Sequence, residues 1–278
     1  MNIAIITDSS AGVSITTATK EGIYVARMPM SVDGKEYLEE LEISRKDVID
    51  AMRNGSTLHT SQPLVGQLMT LFDELLEKYD HCIFFPISSK LSGTYQTALA
   101  IAADYEGRVT VVDTKFVSAP LYYQALEAKK MVDMGMSPLE IKTKIEKEAW
   151  TYAALIPEDI VYLKRGGRIS SAAAAVANLL KIIPVLKVYS GGIDLADKVR
   201  TYKKAVKTGV ELTLQDLDLS EYEVIVLNGD CDEKIYRSTI KDIESKYNCK
   251  VIEDQLYPIV LAHTGPGSIA IAVRKKLI

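Results

Sequence analysis

The stretch HCIFFPISSKLSGTYQTA, residues 81–98, passes from an apolar run through a cluster of hydroxyls into a helical pattern. The run reads as a buried strand, and the segment after the hydroxyls reads as a helix whose first turn lies near Gly93 and Thr94. The same alternation recurs outward from it. NIAIIT (2–7), IYVARM (23–28), RVTVVDT (108–114), YEVIVLN (222–228) and CKVIED (249–254) are short β-branched runs separated by longer amphipathic segments. Strands alternating with helices indicate an α/β fold with a largely parallel sheet. SRKD (44–47) and SPLE (137–140) resemble capping boxes, and Asn54-Gly55 and Gly135 suit helix ends.

The pattern changes after about Trp150. EDIVYLKRGGRISSAAAAVANLLK (158–181) reads as two helices broken at Gly166-Gly167, and IIPVLKVYSGGIDLADKVR (182–200) as a hairpin turning at 190–192. A hairpin implies an antiparallel or mixed sheet. The expected architecture is therefore two α/β domains: 1–156, mainly parallel, and 157–278, with a mixed sheet. At 278 residues and 47% hydrophobic composition, the chain is long enough for two cores.

Composition excludes several classes. A net charge of -4 argues against nucleic acid as the main partner. The N-terminus MNIAIITDSS has neither a basic n-region nor a cleavage pattern, so a cytoplasmic protein is expected. AAAAVANLLKIIPVL (172–186) is interrupted by Lys181 and Pro184 and is too short to span a bilayer, so no stable membrane insertion is expected. Cys82, Cys231 and Cys249 lack metal-site or disulfide spacing and read as core thiols; no metal and no cofactor are expected. GxxxxGK[ST], an early GxGxxG and GxSxG are all missing, which argues against nucleotide binding and conventional serine hydrolysis.

Three stretches put hydroxyls beside a turn or a helix start: HTSQPL (59–64), SSKLSGTYQTA (88–98) and HTGPGS (263–268). Loops that follow the strands of an open α/β sheet converge on one edge, and helix starts offer unsatisfied N–H groups to an anion. Each residue also has a purely local reading. Ser61 and Ser92 suit N-caps, His263 suits a satisfied structural histidine, and Gly265 and Gly267 suit a tight turn. The basic run KVRTYKKAVK (198–207) reads as a protein-docking or solvated surface, and the alanines of SSAAAAVANLLK (170–181) as close helix packing or a cavity lining.

TSQP (60–63), SSKLSGTYQTA, YLKRGGRIS (162–170), NLLKIIPVLKV (178–188), KVRTYKKA (198–205) and HTGPG (263–267), after an AIITDSSAGV start (4–13), together resemble the DegV family of bacterial fatty-acid-binding proteins. The resemblance covers essentially the whole chain. It implies one long-chain fatty acid held between two domains, its carboxylate presented to a separate ATP-dependent fatty acid kinase that makes an acyl phosphate for phospholipid metabolism. The carboxylate-binding positions would be Thr60, Ser61, Ser92, the Gly93 amide and His263. Arg168 and Arg200 match basic positions near the partner-facing side, and no catalysis by this chain is implied. TSQPL in place of the commoner TSQPS, and the glycine-poor DTKFVSAPL (113–121), bear on the tail pocket. The alternative is a small-molecule esterase with Ser92 as nucleophile and His263 as base, a reading that lacks an obvious third member.

Overall fold

The computed structural model describes residues 1–176 and 182–278. Two compact units emerge. One comprises Met1–Arg45, Leu58–Ala149 and Leu277–Ile278, and the other Lys46–Thr57 and Trp150–Lys276.

In the first unit, Ile3–Asp8, Ile23–Ala26, His81–Phe85 and Val109–Val111 form a parallel sheet. Ile3–Asp8 lies between Ile23–Ala26 and His81–Phe85, with Val109–Val111 at the far edge. The two central strands are buried at every position, because helices cover both faces. Strand periodicity divides the core accordingly. Ile3, Ile5, Ile83 and Phe85 pack with Leu121, Ala125, Met131 and Ile141 on one face. Ala4, Ile6 and Phe84 pack with Phe72 and Ala98 on the other, where the Phe72 ring meets Phe84 edge-on at 5.9 Å. Helix Pro138–Glu148 starts with the expected capping box between Ser137 and Glu140. A further antiparallel sheet of Lys35–Leu38, Pro29–Val32 and Leu58–Thr60 is an element that the strand pattern read from the sequence did not include.

The second unit is built on a mixed sheet of six strands, in the order Gly192–Val199, Ile183–Tyr189, Thr151–Ile156, Ser268–Lys275, Tyr222–Gly229, Val251–Gln255. Only the last pair is parallel. The hairpin turns at Ser190 and Gly191, both with positive φ (48° and 86°), as a two-residue turn between right-twisted strands requires. Ser268–Lys275 is buried along nearly its whole length, so its apolar residues serve both faces of the sheet. The preceding segment Lys46–Thr57 belongs to this unit. Arg53 pairs with Asp230 at 2.7 Å, and the Tyr162 hydroxyl donates to the Met52 carbonyl at 3.2 Å.

Helix Val161–Gly166 ends at Gly167 in the left-handed conformation, within the break expected at 166–167. Helix Ser171–Val176 follows, with Ala173 fully buried and Ala175 exposed. Residues 177–181, where the sequence continues the alanine-rich pattern, lie outside the described residues. Cys82 and Cys231 are core thiols, each pushed up to about 12 by burial. Among the described residues, no helix is long and apolar enough to cross a membrane.

Candidate functional site

Chain order places Ile23–Ala26 on one side of Ile3–Asp8 and His81–Phe85 on the other, so the sheet's switch point falls between the first and third strands. Ligands of open α/β sheets collect at the carboxyl ends of such strands. Here those ends carry Asp8 and the loop 86–93.

The Asp8 carboxylate is fully buried and joins the two strands. It accepts hydrogen bonds from the Ser10 amide at 3.0 Å, the Ser10 hydroxyl at 2.5 Å and the Ile87 amide at 2.8 Å. Burial outweighs these three donors and raises its pKa to about 6. The rest of the loop is equally constrained. Ser88 N–H donates to the Phe116 carbonyl at 2.9 Å, the Ser89 hydroxyl to Asp113 at 2.6 Å, and the Ser92 amide to the Ser88 carbonyl at 3.2 Å. The backbone of Ser92 and Gly93 is thus held before any ligand arrives.

Asp8 also fixes a pH dependence. A carboxyl whose folded pKa lies near 6, against 3.8 when unfolded, binds its proton more tightly in the native state. Its contribution to stability is full below pH 3.8, declines as pH rises through the window to about 6, and is lost above it. Over that window it amounts to about 3 kcal/mol at ~1.4 kcal/mol per pKa unit. Urea unfolding from pH 4.5 to 7.5 should therefore show a downward slope in the parent protein that Asp8→Asn lacks. Equal slopes in the two proteins would assign the dependence to other groups.

The structure brings TSQP and LSGT together. Ser61 N–H donates to the Pro29 carbonyl at 2.9 Å, so its residue continues the three-stranded sheet. Gln62 then reaches the helix Thr94–Ala102, its Oε1 accepting from the Thr97 hydroxyl at 3.2 Å. A Cβ placed on Gly93 would lie 3.1 Å from that same Gln62 oxygen, which puts the two loops in contact at Gly93.

Helix Val65–Leu76 has Leu64 at its N-cap, without a side-chain cap, so Ser61 is not a capping residue. Its hydroxyl is exposed and has no hydrogen bond among the described residues. Ser92 does support its helix: its oxygen accepts from the Thr94 amide at 3.3 Å and lies 2.9 Å from the Thr94 hydroxyl. Either hydroxyl can be the donor in that pair, so the Ser92 proton is available to another acceptor when Thr94 donates. The exposed Gly93 N–H has no protein acceptor among the described residues. Thr60 lies opposite Met30 in the strand pairing. Ser61, Ser92 and Gly93 are therefore donors grouped on two clasped loops.

His263 lies in the second unit, in the last turn of helix Pro258–Thr264. Its imidazole rests on Gly166, where a Cβ would come within 2.4 Å of Nδ1. Arg168 Nη1 donates to the Gly166 carbonyl, so His263 and Arg168 meet the same residue. No local pattern in the sequence marks Gly166 as serving both. Gly265 and Gly267 are packing positions, with φ of 81° and 80°, against the Tyr162 ring and the Glu158 carboxylate. Ser268 is fully buried and closes the turn, donating to the Gly265 carbonyl at 2.8 Å. Arg200 is exposed between the strand Gly192–Val199 and the helix Tyr202–Leu214. Among the described residues, no group of three or more His, Cys, Asp and Glu side chains is placed to hold a metal.

The first unit is a parallel α/β sheet with hydroxyl-bearing loops at the carboxyl ends of its strands, and the second a mixed sheet whose helix Pro258–Thr264 carries His263. The chain belongs to the DegV family: a family model described as "Uncharacterised protein, DegV family" matches residues 2–276. A DegV domain-containing protein of Streptococcus pneumoniae is 33% identical over 276 residues, covering 98% of each chain. Two solved structures share the fold at a TM-score of 0.86 each. One is a DegV family protein from Thermus thermophilus, described by its fatty acid binding, with 27% identity over 99% of this chain and 100% of that one. The other is DegV of Bacillus subtilis, described as a fatty acid binding protein, with 28% identity and the same coverage.

Proposed function

We propose that this chain binds one long-chain fatty acid and presents its carboxylate to a separate ATP-dependent kinase in the cytoplasm, which transfers a phosphoryl group to it. The observation that carries the reading is the clasp between the loops 60–63 and 88–94, which leaves the Ser61 hydroxyl and the Gly93 amide without protein partners among the described residues. A carboxylate moved into an apolar site needs such donors, because its burial is costly unless each oxygen is hydrogen-bonded. Ser61 and Gly93 are assigned to the head group on this ground. Thr60, Ser92 and His263 are assigned to it from the family resemblance.

Affinity then comes mainly from the tail. At about 0.8 kcal/mol per methylene, roughly 15 methylenes contribute on the order of 12 kcal/mol before the costs of ordering. The head group selects and orients, and hydroxyls and amides leave a carboxylate oxygen more available to a phosphoryl donor than a bidentate arginine would. Arg168 and Arg200 are assigned to the kinase-facing surface, and no catalytic group to this chain. Denaturing extraction of the purified protein followed by mass spectrometry should recover one equivalent of long-chain fatty acid. Protein that carries no lipid and takes up none when it is added overturns the reading.

A further inference from the structure

Two neighbouring side chains of the strand Ile3–Asp8 act on the loop 86–93, and neither is assigned to the head group. Backbone pairing between this strand and His81–Phe85 ends at Thr7 and Phe85, and Pro86 has no N–H with which to continue it. Side chains take over there. The Thr7 hydroxyl donates to the Phe85 carbonyl at 2.9 Å, and the Ile87 amide donates to Asp8 Oδ2 at 2.8 Å. Thr7 and Asp8 are both fully buried, so they hold the chain on either side of Pro86 without competition from water.

The Asp8 carboxylate divides its work between its two oxygens. Oδ1 accepts from the Ser10 amide and hydroxyl and so caps the turn Ser9–Ala11, as an aspartate at the start of a turn usually does. Oδ2 has no part in that cap. It reaches a residue 79 positions away, which carries the first amide of the loop leading to Ser92 and Gly93. From there the path to the donors is short. The Ser88 carbonyl, next to Ile87 in the chain, accepts from the Leu91 amide at 2.9 Å and the Ser92 amide at 3.2 Å, closing one helical turn that ends beside Gly93. A shift at Ile87 is carried to Ser92 and Gly93 through that single turn of backbone.

We infer that Asp8 is a positioning residue for the fatty acid head group, fixing through Ile87 where the Ser92 hydroxyl and the Gly93 amide stand. The inference rests on the functional reading above. Misplaced donors lose much of their hold on an anion, because hydrogen bonds weaken steeply with distance and angle, whereas contacts along an apolar tail tolerate the same shift.

Asp8→Ser tests it. A serine here keeps the cap, because its oxygen still reaches the Ser10 amide, but it is one bond too short for Ile87. Removing the buried charge offsets the lost hydrogen bond, so the fold is retained; a melting curve checks this. Affinity for a long-chain fatty acid should fall by about tenfold, and affinity for its methyl ester by less than about twofold, since the ester puts no charge on the donors. Asp8→Asn should bring the acid back to within about threefold of the parent protein, its amide oxygen holding Ile87 while its NH2 group turns to the Ser10 hydroxyl. Unchanged acid affinity in Asp8→Ser, or equal losses for acid and ester, overturns the positioning role. So does an Asp8→Asn variant as weak as Asp8→Ser, which would assign the effect to the charge. A parent protein that takes up neither acid nor ester overturns the functional reading and this inference with it.

Discussion

Replacing Ser61 and Ser92 together by alanine is expected to weaken long-chain fatty acid binding by roughly two to four orders of magnitude. A hydrogen bond to a charged group is worth about 1.5–3 kcal/mol, and each 1.4 kcal/mol is tenfold in affinity. The fold should tolerate the change. Ser61 has no hydroxyl partner among the described residues, and Ser92 gives up only its hydrogen bonding with Thr94, a loss of about 1 kcal/mol. The defect should belong to the acid alone. The methyl ester of the same chain has no carboxylate to satisfy, so its weaker binding should be nearly the same in parent and variant. Lowering the pH should partly restore the acid's affinity for the variant, because a protonated carboxyl costs less to bury without donors. Competition binding with acid and ester at pH 5.5 and 7.5 reads all three effects. Equal losses for acid and ester would place the serines along the tail instead.

The framework of both units was readable because its signals are local. Each strand of the parallel sheet is a short apolar run followed by a helical pattern, and the Ser137 capping box and the Ser190-Gly191 turn each fit within a few residues. The antiparallel sheet was missed, although Asp33-Gly34, with φ of 49° and 85°, is a two-residue hairpin turn. Its strand Lys35–Leu38 is short and partly exposed, so no apolar run marks it. The attachment of the helix Arg45–Arg53 to the second unit depends on Asp230 and Tyr162, more than a hundred residues away, which no window of sequence can show. The site divides in the same way. Hydroxyls beside turns, with the family resemblance, picked out Ser61, Ser92 and Gly93. The Gln62–Thr97 bond that joins their loops, and the glycine shared by His263 and Arg168, exist only in the folded chain.

The turn after His263 carries the other large effect. Gly265 has φ 81° and ψ 156°, a conformation essentially reserved for glycine, and it caps the histidine's helix by donating to the Leu261 carbonyl at 2.9 Å. A Cβ at this position would also lie 2.5 Å from the Tyr162 ring, and that ring is held in turn by its bond to Met52. Gly265→Ala thus combines backbone strain of about 1–3 kcal/mol with overpacking of a similar size. The expected loss is about 2–6 kcal/mol, or roughly 4–24 °C in melting temperature for a unit of this size. The two components can be separated. Tyr162→Ala removes the ring the new methyl would strike, so in the double variant only the strain adds to the cost of the missing tyrosine. A double-mutant cycle should then show positive coupling of about 1–3 kcal/mol, with Gly265→Ala milder in the Tyr162→Ala background. Strict additivity would mean that the glycine is required for its backbone conformation alone, and that the Tyr162 ring moves aside at no cost.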